Sequence, residues 1–423
     1  MIKASFWTDD YSRPADLPVG TALPEKVDVA IIGGGFTGLS AARTLAKAGA
    51  SVAVLEEHSI GWGASSRNAG ITGPGQKMGT AAMFQRYGRE RSVQFWQASL
   101  DALDLIKELV YREGIDCDWE QNGGLSLAYK PSHFEAMAKK AEWYRANLGH
   151  QVRLVPPAEL REEIGSDAFF GGLVDPLGAG LHPAKLVFGL ARVAAGYGAG
   201  LFESRRVTEV KSDGGWQRIS LKDGSISAVD VIAATNGYSG SALPRLRRKV
   251  VPAGGYCIVT EPLSDKMQVE LSPQRRMLWD SKWFLNYFRL TPDGRMLWGG
   301  RNSLSTSMSL ERSARHLRSG MLRVFPQLAD VPVTHSWSGN LGLTFDLMPH
   351  IGHVDGVHYA LGYGGYGLPM ALLLGRELGR LLTGEITTSP FEGIPHQTYF
   401  FYRGVPWFRP LVEGYYRLHD WIS

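Results

Sequence analysis

Three glycines carry the clearest chemical consequence in this chain. Gly33, Gly35 and Gly38 form a G-x-G-x-x-G run. In such a run the first glycine permits a tight turn, the second lets the backbone approach a pyrophosphate, and the third lets a helix pack closely on a strand. Phe36 and Thr37 sit inside the run, at the start of a helix whose N-terminal N–H groups and dipole favour phosphate charge. A carboxylate about 20 residues further on can accept hydrogen bonds from ribose hydroxyls. Glu56 stands there, with Glu57 as the alternative one position on.

The flanking elements must place these groups. Val27 to Ile32 is a nearly continuous apolar run rich in β-branched residues, as a buried parallel strand requires. Leu39, Ala42, Leu45 and Ala46 then recur at helical spacing until Gly49 ends the helix, and Ser51 to Leu55 forms a second strand. A lone glycine triplet is a weak signal. Strand, triplet, amphipathic helix, second strand and acidic terminus together specify a dinucleotide site.

At 423 residues the chain has room for two or three folding units. Its 20% charged and 44% hydrophobic residues exclude a mainly disordered protein. Forty-five basic against 41 acidic residues give no nucleic-acid signature, and the basic stretch at 245–249 reads as a solvated loop. Cys117 and Cys257 support neither a disulfide framework nor a zinc site, which sets a reducing cytoplasm as the expected location. No apolar signal region and no spanning segment is present, so a soluble, unprocessed chain is expected. His335, His350, His353 and His358 match no ligand spacing, so no metal is expected. The absence of Gly-x-Ser-x-Gly leaves a serine hydrolase without support.

The stretch from Gly61 to Gly70, with its Arg67-x-x-Gly70, resembles the second fingerprint of the D-amino-acid oxidase superfamily of flavoproteins. Gly61 to Ser65 is similar to the branch containing gamma-glutamylputrescine oxidase. The resemblance implies FAD rather than NAD, with Gly63, Ala64, Ser65, Arg67, Asn68, Ala69 and Gly70 along the pyrophosphate and isoalloxazine. It further implies that the backbone near Val207 lies against adenine and that the turn of Thr235, Asn236 and Gly237 approaches the pyrophosphate. Gly339, Gly342, Gly364, Gly365, Tyr366, Gly367 and Leu368 belong to the stretch that is similar to the family's C-terminal FAD segment, whose loop covers the flavin pyrimidine edge and opens a helix. Pro369 suits the first turn of that helix, and its exposed N–H groups would stabilise negative charge on the reduced flavin. The family often has His where Tyr366 stands. Neither the cysteine nor the histidine that some relatives use to attach flavin is present, so non-covalent FAD is expected.

The expected fold is α/β: a Rossmann-like FAD-binding domain of the GR2 type and an α+β substrate domain built on an antiparallel sheet. The FAD-binding parts are 25–88, 150–245 and 335–385, and the substrate parts 89–149 and 246–334. The aromatic segment 386–423 is expected to pack on the body. Tyr256, Arg301, Trp337 and Tyr366 are the expected pocket residues, with Trp279, Trp283, Tyr287, Arg289 and His182 behind them. A phenol at Tyr256 could hydrogen-bond a carboxylate or amide, Arg301 could capture an anionic group, and Lys282 could assist oxygen chemistry. The resemblance implies an amine or amino-acid oxidoreductase. A substrate α-carbon would give hydride to flavin N5, the imine would hydrolyse, and oxygen would reoxidise the flavin. The alternatives are a dehydrogenase serving a quinone or protein acceptor, using the aromatic C-terminus, and a non-catalytic FAD-binding protein. The oligomeric state is left open.

Overall fold

The computed structural model describes residues 1–300 and 303–422. Two eight-stranded sheets organise it. In the first, Lys26–Ile32 lies between Gly224–Ala233 and Val52–Leu55, both parallel to it. Gly200–Phe202 extends the sheet on one side, and Val357–Leu361 with the antiparallel His350–Val354 extends it on the other. Val29 and Ile31 face one side and Ala30 and Ile32 the other, each in its own apolar cluster. Burial of both faces explains the continuous apolar run, because a parallel sheet is covered on both sides. Val207–Asp213, Trp216–Leu221 and the start of Gly224–Ala233 form an antiparallel meander joined to this sheet.

The second sheet runs in the order Val333–Leu343, Val251–Pro262, Arg295–Gly300, Asn286–Leu290, Met277–Asp280, Gly124–Leu127, Gly172–Asp175, Arg153–Val155. Every pairing is antiparallel except Met277–Asp280 with Gly124–Leu127, which is parallel. On one face Phe288 and Trp298 stack at 4.3 Å between ring centroids, over Phe325 and Leu317 from the helix side.

Sheet membership moves three of the expected boundaries. Arg153–Val155 and Gly172–Asp175 belong to the second sheet although 150–245 was assigned to the nucleotide half, because their backbone groups complete the edge beside Gly124–Leu127. Val333–Leu343 also crosses over, pairing with Val251–Pro262 along almost its whole length. Conversely, Thr80–Tyr111, kinked at Gly88, buries Phe95, Ala102, Leu105 and Ile106 in the core of the first sheet rather than in the substrate half.

Helices Phe36–Lys47, Pro183–Gly196 and Gly367–Leu382 pack in one layer on the first sheet. The first and last come into backbone contact. A Cβ at Gly375 would overlap the Thr37 carbonyl oxygen, and one at Gly379 would lie 2.7 Å from Thr44 Cβ. Ser40 Oγ donates to the Leu372 carbonyl at 2.6 Å across the same seam. Among the described residues no helix is long and apolar enough to cross a membrane.

Part of the C-terminal segment packs on the body and part is exposed. Tyr402 is buried and its hydroxyl donates to the Val250 carbonyl at 2.7 Å. Phe391 and Ile394 are buried as well, whereas Phe400, Trp407 and Leu411 remain 87%, 61% and 71% exposed.

Gly375→Val is expected to cost about 1–3 kcal/mol by overpacking and to yield protein depleted in flavin, since it pushes on the turn that carries Thr37. Thermal unfolding and the flavin-to-protein absorbance ratio test this. Wild-type values for both would show that the two helices tolerate separation.

Candidate active site

One cavity of about 1080 Å³ opens between the two sheets. It lies at the top of the ordinary size range for ligand pockets, roughly 300–1,000 Å³. Its nucleotide end begins where Lys26–Ile32 stops. Gly33 has φ of +109°, a left-handed value, and turns the chain under Ala234. A Cβ on Gly38 would overlap the Gly33 carbonyl, so this glycine permits the strand–helix approach without itself lining the cavity. Helix Phe36–Lys47 starts at Gly35 with no side-chain cap, which leaves its first turn to satisfy a ligand's charge. Phe36 N–H donates to Ser65 Oγ at 2.9 Å, tying that turn to the 61–70 loop.

Glu56 and Glu57 both line the cavity. Glu56 accepts from Gly34 N–H at 2.8 Å and from His58 N–H at 2.9 Å. Burial pushes its carboxyl above the ordinary range against those two bonds. Glu57 points outward to Arg206, at 3.5 Å.

Gly63, Ala64, Ser65, Arg67, Asn68 and Ala69 line the next stretch of wall. Arg67 lies over the Trp62 ring at 4.6 Å and donates to the Trp62 carbonyl at 2.7 Å. Gly70 does not line the cavity. Its φ is +66°, and a Cβ there would overlap the Leu181 carbonyl and lie 2.8 Å from Arg289 Nη2.

Val207, Thr235 and Asn236 line the cavity, and so do Gly339, Gly342, Gly364, Gly365, Tyr366, Gly367 and Leu368. Asn236 joins three of these segments. It adopts φ of +40°, its Oδ1 accepts from Gly362 N–H at 3.0 Å, and a Cβ on Gly342 would strike that same oxygen. Gly237 packs behind, where a Cβ would lie 2.7 Å from the Leu341 carbonyl. Tyr363 shares a 2.7 Å hydrogen bond with Thr37, holding the C-terminal loop against the first helix turn. The helix that follows begins at Gly367, and its N-cap, Tyr366, makes no side-chain cap bond. Two helix N-termini therefore end at one cavity.

The far chamber is walled by Trp279 and Tyr287 from the second sheet, Leu285 from the connection between their strands, Tyr366, and Lys140 and Tyr144 from helix Pro131–Leu148. Lys140 Nζ lies 5.1 Å from the centre of the Tyr144 ring. Burial raises the Tyr366 hydroxyl above its ordinary range, so the phenol stays protonated. Asp175 supplies a carboxylate there, accepting from Leu177 N–H at 3.0 Å and lying 2.9 Å from His150 Nε2.

Two expected pocket residues lie behind the wall instead. Tyr256 is buried in the second core; its hydroxyl donates to the Ser305 carbonyl at 2.8 Å and accepts from Met308 N–H at 3.1 Å, so its polar end is satisfied by protein. Trp337 donates from Nε1 to the Arg67 carbonyl at 2.9 Å, supporting the cavity wall from outside. Arg301 lies outside the described residues. Of those placed behind them, Trp279 and Tyr287 line the cavity, whereas Arg289 and His182 are buried away from it and Trp283 is exposed. His182 caps helix Pro183–Gly196 through Lys185 N–H and faces Asp10 at 3.2 Å. Lys282 pairs with Asp280 and lies 3.7 Å from the centre of the Tyr129 ring. It does not line the cavity.

Sequence reasoning passed over the 72–82 segment, which runs from the end of strand Ile71–Thr72 into helix Thr80–Tyr111, and Lys139, Lys140, Trp143 and Tyr144, all of which line the cavity. The signals were a Gly73-Pro74-Gly75 turn directly after the second fingerprint and an aromatic pair on an amphipathic helix. His350 faces Asp346 at 3.0 Å and stacks on His396, and His335 faces Asp9 at 2.9 Å.

A two-lobed protein with an uncapped glycine loop at a parallel strand end, and a second sheet roofing the same cavity, has the construction of a flavin-dependent oxidoreductase. The family profile described as FAD dependent oxidoreductase matches residues 28–381, and the chain belongs to that family, abbreviated DAO. It is 31% identical over 398 residues to a protein of Haemophilus influenzae named probable oxidoreductase OrdL, covering 92% of this chain and 90% of that one. It is 32% identical over 400 residues to gamma-glutamylputrescine oxidoreductase of Escherichia coli, covering 93% and 92%. The crystal structure of glycine oxidase from Geobacillus kaustophilus superposes with a TM-score of 0.75 at 24% identity, over 88% of this chain and 100% of that one.

FAD is the cofactor of this family, and the residues present fit it: uncapped helix starts, cradles that a Cβ would fill, and a carboxylate at the second strand end. Glu56→Gln keeps the shape but replaces charge-assisted acceptance by a neutral one, a loss of about 1.4 kcal/mol or roughly tenfold in FAD affinity. Fluorescence titration of apoprotein measures it, and an unchanged dissociation constant would remove Glu56 from the ribose. Cys257 lines the cavity, with its thiol pushed up to about 12 by burial and its Sγ 3.7 Å from the Tyr287 hydroxyl. A protonated thiol is a poor nucleophile, so acid precipitation is expected to release all yellow colour into the supernatant. Colour kept in the pellet would mean a covalent link.

Proposed function

We propose that this protein oxidises an amine or amino acid at the carbon bearing nitrogen, with molecular oxygen as the acceptor. The observation that carries the reading is the continuity of the cavity, from the glycine loop past Ala64 and Ala69 into a chamber with aromatic walls. FAD would supply the redox chemistry by accepting hydride at N5 from the substrate α-carbon, after which the imine hydrolyses. The chain's own residues bind, orient and exclude water. Trp279, Tyr287 and Tyr144 offer apolar surface on which a substrate chain can pack, and Tyr366 offers a hydroxyl that burial keeps protonated.

Lys140 gives the chamber a cation, which suits a substrate that carries a carboxylate as well as an amine, while the Asp175 carboxylate is already engaged by Leu177 N–H and His150. Lys140 also bears on protonation. A bound ammonium beside another cation is disfavoured, so the neutral amine needed for hydride loss is favoured without a dedicated base. A γ-glutamylated amine, of the kind named in the E. coli relative, meets these requirements. N-methyl amino acids, other secondary amines and polyamine derivatives are the competing candidates.

One observation favours a second reading, in which a quinone or protein takes the electrons. The exposed cluster of Phe400, Trp407, Leu411 and Tyr415 offers an apolar surface that oxygen chemistry does not require.

An oxygen-electrode screen of these amine classes, run beside anaerobic mixing followed near 450 nm, separates the readings. Bleaching with an amine, together with oxygen uptake and hydrogen peroxide, is the expected outcome. Bleaching without oxygen uptake would transfer the proposal to the acceptor reading. Absence of bleaching with every amine class would reject amine oxidation.

A further inference from the structure

Consecutive carbonyl groups on the cavity-lining loop are each held from behind by a side chain from another part of the chain. The Ser66 carbonyl accepts from Ser5 Oγ at 2.8 Å, and that of Arg67 from Trp337 Nε1 at 2.9 Å. The Asn68 carbonyl accepts from Trp7 Nε1 at 2.7 Å, and that of Ala69 from Arg289 Nε at 3.1 Å. The next one, on Gly70, accepts from Leu181 N–H at 2.9 Å. Ser5 and Trp7 come from the N-terminal segment, Arg289 and Trp337 from two strands of the second sheet. With its carbonyls taken up on one side, the loop presents Arg67, Asn68 and Ala69 to the cavity on the other.

Arg289 differs in kind from the other three. It is fully buried, and among the described residues no carboxylate pairs with it; that of Glu120 lies 3.7 Å from Arg275 instead. Its Nη2 donates to the Leu181 carbonyl at 2.6 Å, its guanidinium lies 5.3 Å from the centre of the Trp7 ring, and Nη1 has no hydrogen-bond partner among the described residues. Two glycines make room for it: a Cβ on Gly70 would lie 2.8 Å from Nη2, and one on Gly180 would overlap Nη1. Gly70 directly precedes the small ladder of Ile71–Thr72 with Ala179–Gly180, in which Gly180 pairs with Ile71. Burial pushes the Arg289 pKa down to about 10, which leaves it charged at neutral pH. Glu120 is the carboxylate whose field acts most on it. A buried cation without a paired anion costs stability, and its dipole-assisted neighbours here are neutral carbonyls and an aromatic face.

We propose that Arg289 is a positioning residue that also sets the redox potential of the bound cofactor: it fixes the Ala69 end of the loop and places an unpaired positive charge one residue behind the cavity wall. A flavin gains negative charge on two-electron reduction, and a nearby cation in a low-dielectric interior favours the reduced form. The neutral donors Ser5, Trp7 and Trp337 hold the loop without contributing a net charge.

The inference rests on FAD occupying this cavity and not on the substrate reading, because the measurement uses no amine. The midpoint potential of bound flavin is determined by dye-equilibrated reduction, and FAD affinity by titration, for wild type, R289K, R289M, W7F and E120Q. R289M is expected to lower the potential and weaken FAD binding, whereas R289K retains the potential while binding FAD several-fold more weakly. W7F removes a neutral donor and is expected to weaken binding and leave the potential in place. E120Q keeps every backbone contact of Glu120 and relieves its opposing field, so its potential should rise. This last variant decides the matter if R289M does not hold flavin. A wild-type potential in R289M or in E120Q, or an equal fall in R289K and W7F, would overturn the proposal.

Discussion

Segments far apart in this chain meet around one cavity because their backbones come into contact at positions that have no side chain. Gly38 against Gly33, Gly375 against Thr37, and Gly342 against the Asn236 side chain are each approaches that a Cβ would block. The constraint is steric and local, and its effect extends over the whole molecule. Helix Phe36–Lys47 can lie close on its strand and close to helix Gly367–Leu382 only through these contacts. The N-termini of both helices then open onto the same space. An abundance of glycine, 51 residues in 423, reflects this requirement more than loop flexibility, since Gly38, Gly375 and Gly379 lie inside helices where glycine is otherwise unfavourable.

The second consequence concerns how the two sheets are joined. Val333–Leu343 pairs throughout with the second sheet, yet Gly339 and Gly342 face the cavity and Trp337 reaches back to the 61–70 loop that follows strand Val52–Leu55. One strand thus belongs to the roof by hydrogen bonding and to the cofactor wall by the backbone it exposes at Gly339 and Gly342. The N-terminal residues Ser5 to Trp7 add a further tie between the lobes. Such links make the wall of the cavity a product of both halves, so changes in either sheet are transmitted to the same loop.

The nucleotide half was legible because its signals are local. A buried parallel strand, a glycine triplet, a 3.6-residue apolar repeat and a terminal carboxylate all fall within about 30 residues, the span of one βαβ unit. The second fingerprint was equally readable through its resemblance to a family. Legibility fell where the answer depends on pairing across long separations. Nothing in the alternation of Val333–Leu343 states which sheet it joins, and Thr80–Tyr111 has an amphipathic face that fits either core. Tyr256 shows the same limit for a single side chain. A tyrosine in a buried strand is a pocket residue or a core residue depending on which of two faces it occupies, and its partners, the Ser305 carbonyl and Met308 N–H, lie about 50 residues away. The Gly375-x-x-x-Gly379 pair was available in the sequence as a helix-packing signal, but small residues at that spacing say only that some backbone approaches.

The electrostatics of the cavity follow from the same construction. Cations outnumber carboxylates in its wall: Lys77, Lys139, Lys140, Arg67, Arg205 and Arg206 stand against Glu56, Glu57 and Asp175 among the described residues. The Glu56 carboxyl is raised by burial, Glu57 is drawn toward Arg206, and Asp175 is engaged by His150 and Leu177, so little negative field is left to oppose them. Two helix N-termini add their positive ends. A cavity of this sign suits phosphates at one end and negative charge that develops on a reduced flavin at the other. Binding of the dinucleotide draws on this excess of positive charge, and the excess is tolerated because its members keep solvent or aromatic contact: Arg206 is 65% exposed, Arg67 lies over the Trp62 ring, and Lys140 lies 5.1 Å from the centre of the Tyr144 ring.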